Sequence, residues 1–299
     1  KNGQYNREND PRILTKKKLE RIRFSKEKIN ELKKHMINRT KGRLEHFDVK
    51  AAFGEGKNKI DQLLKKKKIN LKKFKKKVLI ASHSLSDANH FYFEYNSRSF
   101  FYDYHTHLIK TLEFAKKNKK IFFLVRPHPS SKFWNEEGLI KKILQKFKSD
   151  NILYVDNKIS THQILNFVDT CLTVHGTIGI EQAGYYFKKP ILTGKGIYSN
   201  LGFTHDAKDI EDYFKLILSD RGKHVLNKKE KNNAMKALYY FEIIVKKEYK
   251  SYINRKKVLL SEKKYLKDLS IYLKKNKLEK DLYFKNLKHK LINQKVFLT

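Results

Sequence analysis

The 299 residues, 39% hydrophobic and 33% charged, suffice for one large domain or two modest ones, with the core concentrated in part of the chain. A single cysteine, Cys171, excludes an internal disulfide or a multi-cysteine zinc site, and no stretch reaches the ~18 apolar residues of a membrane span or shows a signal-peptide pattern. The net charge of +37 draws polyanions, yet only ten of the 68 basic residues are Arg and no aromatics interleave the lysine runs, so nucleic acid is disfavoured as the partner.

From Thr15 to Leu44, Leu19, Ile22, Ile29, Leu32, Met36 and Ile37 recur at helical spacing among Lys, Arg and Glu, which predicts an amphipathic helix or helix pair. A turn is expected over 47–56 (FDVKAAFGEG), and the lysine-dominated stretch 61–77 reads as a basic linker or short helix. These 76 residues form a helical, basic N-terminal segment. Because the chain starts with Lys1, we expect a fragment with an upstream portion missing.

The pattern changes at Val78. VLIAS (78–82), IFFLV (121–125), ILYV (152–155), CLTV (171–174) and PILT (190–193) read as strands, and 103–118, 137–148, 160–168, 177–187 and 207–219 read as helices. This alternation predicts an α/β fold, a Rossmann-like doubly wound parallel sheet over 77–220 with flanking Lys-rich helices. From 221 to 299 a Lys-rich helical pattern returns, with apolar clusters such as ALYYFEIIV (237–245) that predict packing back on the α/β part or on the missing portion.

In such sheets ligands sit beyond the carboxyl ends of the strands, so the segments that follow them carry the candidate chemistry. SHSLSDANH (82–90) offers His83, Asp87 and His90 in one loop; helix-capping and turn formation explain it as readily, and its spacing matches no strong metal signature. In RPHPSS (126–131), Pro127 and Pro129 remove two backbone donors around His128. Arg126 is the only arginine between Arg98 and Arg221, and its planar fork suits a phosphate or carboxylate; a rigid turn with an exposed His is the alternative. TVHGTIGIEQAG (173–184) puts His175, Gly176, Thr177 and Gly179 ahead of a helix, where glycine allows close approach and the helix N-terminus favours an anion. Glu181 could accept from ribose hydroxyls or simply be solvated. TGKGIYSN (193–200) is a small-residue turn with Gly194, in which Lys195 could add charge beside a phosphate; an ordinary Gly-rich loop explains it nearly as well.

In this order and at these separations, SHSLSDANH, RPHP and TVHGTIGIEQAGYYFKKPILTG resemble the capsular polysaccharide biosynthesis family, which includes transferases of 3-deoxy-manno-octulosonic acid (Kdo). The His-Pro pair is also similar to that of bacterial sialyltransferases and teichoic-acid glycerophosphate polymerases. The resemblance covers about residues 78–220 and implies the C-terminal half of a GT-B type fold; the upstream 76 residues hold too few strand candidates for a complete N-terminal half. It implies a sugar transferase whose donor is a nucleotide sugar, CMP- or CDP-linked, with a glycan or glycolipid acceptor and no separate cofactor or metal. A glycerophosphate or phosphopolyol transferase and a non-enzymatic polyanion binder are the rival functions. By the same resemblance His128 contacts the donor phosphate or protonates the departing nucleotide, with Arg126 and Pro129 shaping that contact. His175, Gly176 and Thr177 form the phosphate-binding segment, Glu181 faces the ribose, and Asp87 is a second catalytic candidate with His90 beside it. The expected location is the cytoplasm, with the basic helices against the anionic inner membrane surface.

Overall fold

The computed structural model describes residues 14–43, 52–53, 59–86, 99–129, 131–136 and 138–245, with single positions 266, 267, 270, 271, 274, 285 and 288. Asp87, His90, most of the 47–56 turn and nearly all of the chain after 245 lie outside the described residues.

Six parallel strands form one sheet in the order β3-β2-β1-β4-β5-β6: β1 Lys76–Ala81, β2 Ile121–Arg126, β3 Ile152–Tyr154, β4 Thr170–Thr173, β5 Ile191–Leu192 and β6 His205–Asp206. The five expected strands are present, each within two residues of its predicted ends. β6 was not expected, because two polar residues, His205 and Asp206, carry no apolar run. The fold class is α/β, with a Rossmann-like strand order that reverses between β1 and β4.

Alternation along the strands sets the two faces. Val78 and Ile80 of β1, with Phe123 and Val125 of β2, pack against α4 (Tyr104–Lys117), α5 (Leu139–Gln145) and α8 (Ile210–Leu218). Leu79, Phe122, Leu124 and Cys171 face the other way, toward α3 (Ile60–Lys66) and α6 (Thr161–Phe167). Both faces of the central strands are buried, as an all-parallel sheet requires.

The N-terminal periodicity resolves into a helix pair, α1 (Lys16–Arg21) and α2 (Lys26–Thr40). Their apolar faces share a core with α7 (Thr177–Tyr186) and α9 (Lys228–Tyr239), the latter continued by a π-helical turn over Tyr240–Val245. The 237–245 cluster therefore packs on the α/β part, as expected. A Cβ at Gly184 of α7 would stand 2.8 Å from Ala234 O and 2.7 Å from Leu238 Cβ, so that glycine lets α9 lie directly on α7. No described helix is long and apolar enough to cross a membrane.

Most helices that follow strands start with a side-chain cap: Asp103 accepts from Thr106 N at 2.6 Å, Ser160 from Gln163 N at 3.4 Å and Asp209 from Asp212 N at 2.8 Å. α7, by contrast, begins at Gly176 with no side-chain cap. Gly179 N donates to Gly176 O at 3.0 Å, which leaves the N–H groups of Thr177 and Ile178 without a hydrogen-bond partner among the described residues, at the crossover between β1 and β4.

Candidate functional site

The segments that follow β1, β2 and β4 converge on one cavity of about 130 Å³ at the carboxyl end of the sheet. Its wall includes His83, Arg126, His128, Gly176, Thr177 and Glu181. The RPHP segment and the Gly176 turn thus share one end of the sheet, as expected.

The loop after β1 is tied to β2 at its first residue: Ser82 donates from N and Oγ to Arg126 O at 3.0 and 3.1 Å. His83 lies in a ring cluster, stacked on Tyr104 at 4.4 Å and 4.8 Å from the His175 ring. Its Nε2 is 3.2 Å from Thr173 Oγ1, which also accepts from Gly176 N at 3.0 Å. Burial, and then the neighbouring His175, His128 and His107, push the His83 pKa well below the usual imidazole range, so this ring is neutral at physiological pH.

Glu136, which the motifs left out, fixes the rest of that loop. Its carboxylate accepts from Ser84 Oγ at 2.9 Å, Leu85 N at 3.0 Å, Ser86 N at 2.7 Å and Ser86 Oγ at 2.5 Å. Four donors on one buried carboxylate lock the β1 loop to the chain after β2. The only sequence signal was an acidic pair in a basic chain.

Arg126 corrects its expected role as a free fork. It is buried and donates from Nη1 to Ile159 O at 2.8 Å and from Nη2 to Ala52 O at 3.1 Å, so most of the fork holds main chain. Ala52 O also accepts from Thr161 Oγ1 at 2.9 Å. Burial lowers the Arg126 pKa to about 10, against the pull of Asp156, Tyr154 and Glu181; the group stays cationic, and its buried Nε has no partner among the described residues. His128 and Pro129, both half-buried, line the same cavity beyond it.

Glu181 is neither a solvated helix residue nor a free ribose acceptor. It is buried, and its Oε1 accepts from Arg39 Nη2 at 2.5 Å and Nε at 3.2 Å. Arg39, on α2, also stands 3.6 Å from Glu242 Oε2, which His35 Nε2 reaches at 2.8 Å, and its guanidinium lies over Phe53 at 5.6 Å. Arg39 and Phe53 were not among the sequence candidates; the amphipathic pattern of α2 assigned Arg39 no site, and Phe53 fell in the expected 47–56 turn.

At the start of α7 the glycines divide. A Cβ at Gly176 would approach Thr173 Oγ1 at 2.8 Å and His83 Cε1 at 3.6 Å, so that turn is bare where the loops meet. At Gly179 the bare face is filled by the protein: a Cβ there would overlap the hydroxyl of buried Tyr198, which donates to Gly176 O at 2.5 Å. Thr177 is exposed at the mouth. His175 is not a lining residue; its Nε2 lies 2.8 Å from Tyr104 OH, and it backs His83. The 194–196 turn packs behind it, with Gly194 N donating to Val174 O at 2.9 Å, a Cβ at Gly196 coming within 3.4 Å of His175 Cβ, and Lys195 exposed outside the cavity.

The cavity therefore combines an uncapped helix N-terminus, a buried guanidinium with an unused N–H and a neutral His83 with His128. That set is chemically suited to an anion, with an imidazole beside it. Among the described residues, no group of three or more His, Cys, Asp or Glu side chains is placed to hold a metal ion.

No family model matches the chain, and no curated protein does. Among solved structures the chain is similar to KpsC of Thermosulfurimonas dismutans, titled a beta Kdo 2,4 transferase, at 13% identity over 72% of this chain and 56% of that one, with a TM-score of 0.36. It is also similar to a structure titled trehalose-6-phosphate from E. coli bound with UDP-2-fluoro glucose, at 12% identity over 68% of this chain and 47% of that one, with a TM-score of 0.34. The chain spans about half the length of these two structures.

Proposed function

We propose that the chain is a glycosyltransferase of capsule or surface polysaccharide synthesis, moving a Kdo-type sugar from a CMP-linked donor to a glycan or glycolipid acceptor. The observation that carries this reading is the convergence of the β1 loop, RPHP and the bare start of α7 on one anion-suited cavity at the strand-order reversal. The three-motif resemblance to the capsule family supplies the reaction class.

In this reading the donor phosphate sits against the first N–H groups of α7 and the Thr177 hydroxyl. The Arg126 charge stabilises it from behind. His128 donates a hydrogen bond or a proton to the departing phosphate oxygen. A nucleotide phosphate already leaves well, so stabilising its growing charge is the main task and the scheme calls for no metal. The lysine-rich helices would lean on the anionic inner membrane surface, where each lysine near it contributes about 1 kcal/mol.

Titration of the chain with CMP and with UDP tests the reading. Saturable binding that weakens in His128→Ala supports it; absence of saturable binding to either, in an intact fold, overturns it. Product analysis then separates sugar transfer from glycerophosphate transfer, since only the latter adds phosphorus to the polymer.

A further inference from the structure

A larger cavity, of about 720 Å³, opens at the opposite end of the sheet. It is framed by the starts of β1 and β2, the turn between α4 and β2, and the segment after α8. The six residues of β1 separate it from the donor cavity by roughly 20 Å, at ~3.3 Å per residue. Five exposed cations line it, Lys75, Lys117, Lys119, Lys120 and Arg221, against one carboxylate, Asp220.

The cations are not equivalent. Lys119 Nζ donates to Ser149 Oγ at 2.6 Å, and Arg221 Nη2 pairs with Asp169 at 3.0 Å. Lys75, Lys117 and Lys120, from two chain segments joined where Lys75 N donates to Lys120 O at 2.8 Å, make no ion pair or side-chain hydrogen bond with any described residue. Like charges held around a concavity repel one another unless an anion or counterions sit between them.

One neighbouring group removes a charge that would oppose an anion. The last carbonyls of α8 would put partial negative charge on this rim. Instead the buried Lys76 reaches under them, its ammonium donating to Ile217 O and, at 2.6 Å, to Ser219 O. Those carbonyls are already satisfied, and the open side of the cavity presents cations.

We propose that this cavity is a second anion site, which takes a compact soluble ligand carrying two or more phosphate groups. Three ammonium groups unpaired among the described residues ask for several acceptor oxygens within one small volume, which a polyphosphate supplies. Lysines act as point charges and need no planar partner. The concavity favours a ligand that can enter it over a flat bilayer. The site is independent of the donor reading, because it shares no residue with the first cavity.

The probe is inorganic tripolyphosphate, titrated calorimetrically into the full chain at physiological ionic strength. Saturable binding is expected, weakened about tenfold or more in Lys75→Gln/Lys117→Gln/Lys120→Gln, since each charge near the ligand counts in a partly enclosed site. A control triple of equal charge on α2 and α9, Lys33→Gln/Lys34→Gln/Lys228→Gln, is expected to change it less than twofold. All six lysines are exposed, so both triples should fold. His128→Ala should leave the affinity unchanged, which separates this site from the donor cavity. Equal losses in the two triples, loss only in His128→Ala, or binding to phosphatidylglycerol-containing vesicles without binding to tripolyphosphate would each overturn the proposal.

Discussion

Arg39 Nη2 lies 2.5 Å from Glu181 Oε1, joining residues 142 positions apart in the chain. A residue of the N-terminal helix pair, together with Ala52 and Phe53, therefore lines a cavity that the loops of the parallel sheet share. The same guanidinium faces Glu242 from the turn after α9, so one cation is shared between two buried carboxylates from two elements.

Removing that cation strands the buried Glu181 carboxylate and takes one of its partners from Glu242. Arg39→Met is therefore expected to cost about 3–5 kcal/mol, the range for breaking a buried ion pair from one side. Arg39→Met/Glu181→Gln should cost less than the single change, because one stranded charge goes with it. Urea unfolding of the single and double variants checks this; a loss under ~0.5 kcal/mol for Arg39→Met would show that the pair holds nothing.

Gly179 is a packing glycine, and its replacement should be felt in the fold. A Cβ there overlaps the Tyr198 hydroxyl, so Gly179→Ala is expected to destabilise by about 1–3 kcal/mol, as overpacked cores do. In a Tyr198→Phe background the same change should cost clearly less, because the overlapping atom is gone. Thermal unfolding of the four proteins completes the cycle, and an unchanged cost in the Phe background would refute the assignment.

These two sites mark where reading the chain stops. Strands such as 121–126 announce themselves through unbroken apolar runs, and the alternation with helices carries the parallel topology. The converging loops followed from the rule that ligands sit beyond strand ends, and His83, His128 and Gly176 were named on that basis. β6 escaped notice because its pairing is made by main chain and its two residues are polar. Arg126 and Glu181 were named as ligand contacts, but their partners, the Ala52 and Ile159 carbonyls and Arg39, lie far along the chain. No local spacing encodes contacts of that kind.

Acid should weaken the fold through its buried histidines, His107 and His224 among them. Burial pushes the His107 pKa down to about 3; burial, then Lys76, His205 and Lys189, does the same to His224, also to about 3. The folded pKa lies below the unfolded ~6.5, so the unfolded chain takes the proton first as pH falls. Stability is full above that value and is lost on acidification toward 3, by roughly 2 kcal/mol from each group between pH 6.5 and 5. His107→Gln should remove the His107 share of this loss, whatever it costs at pH 7, while His224 and the likewise depressed His83 keep theirs. Urea midpoints at both pH values decide the matter; a midpoint that does not move with pH would contradict it.

Glu136 offers a test of how the β1 loop serves the cavity. Its four accepted hydrogen bonds come from Ser84, Leu85 and Ser86, immediately after His83. Gln at this position keeps the shape but turns one acceptor oxygen into an NH2 facing donors. Glu136→Gln should therefore cost about 1–3 kcal/mol, the penalty for stranding buried donors. Part of that cost should appear in nucleotide affinity, because the His83 ring is set by the loop that Glu136 anchors. We expect CMP or UDP affinity to fall several-fold in Glu136→Gln, while Glu136→Asp, which keeps the charge on a shorter arm, should retain more of it. Were Glu136→Gln to lose stability with nucleotide affinity untouched, the carboxylate would be a fastener for the loop alone and His83 would be held in place by Tyr104 and Thr173.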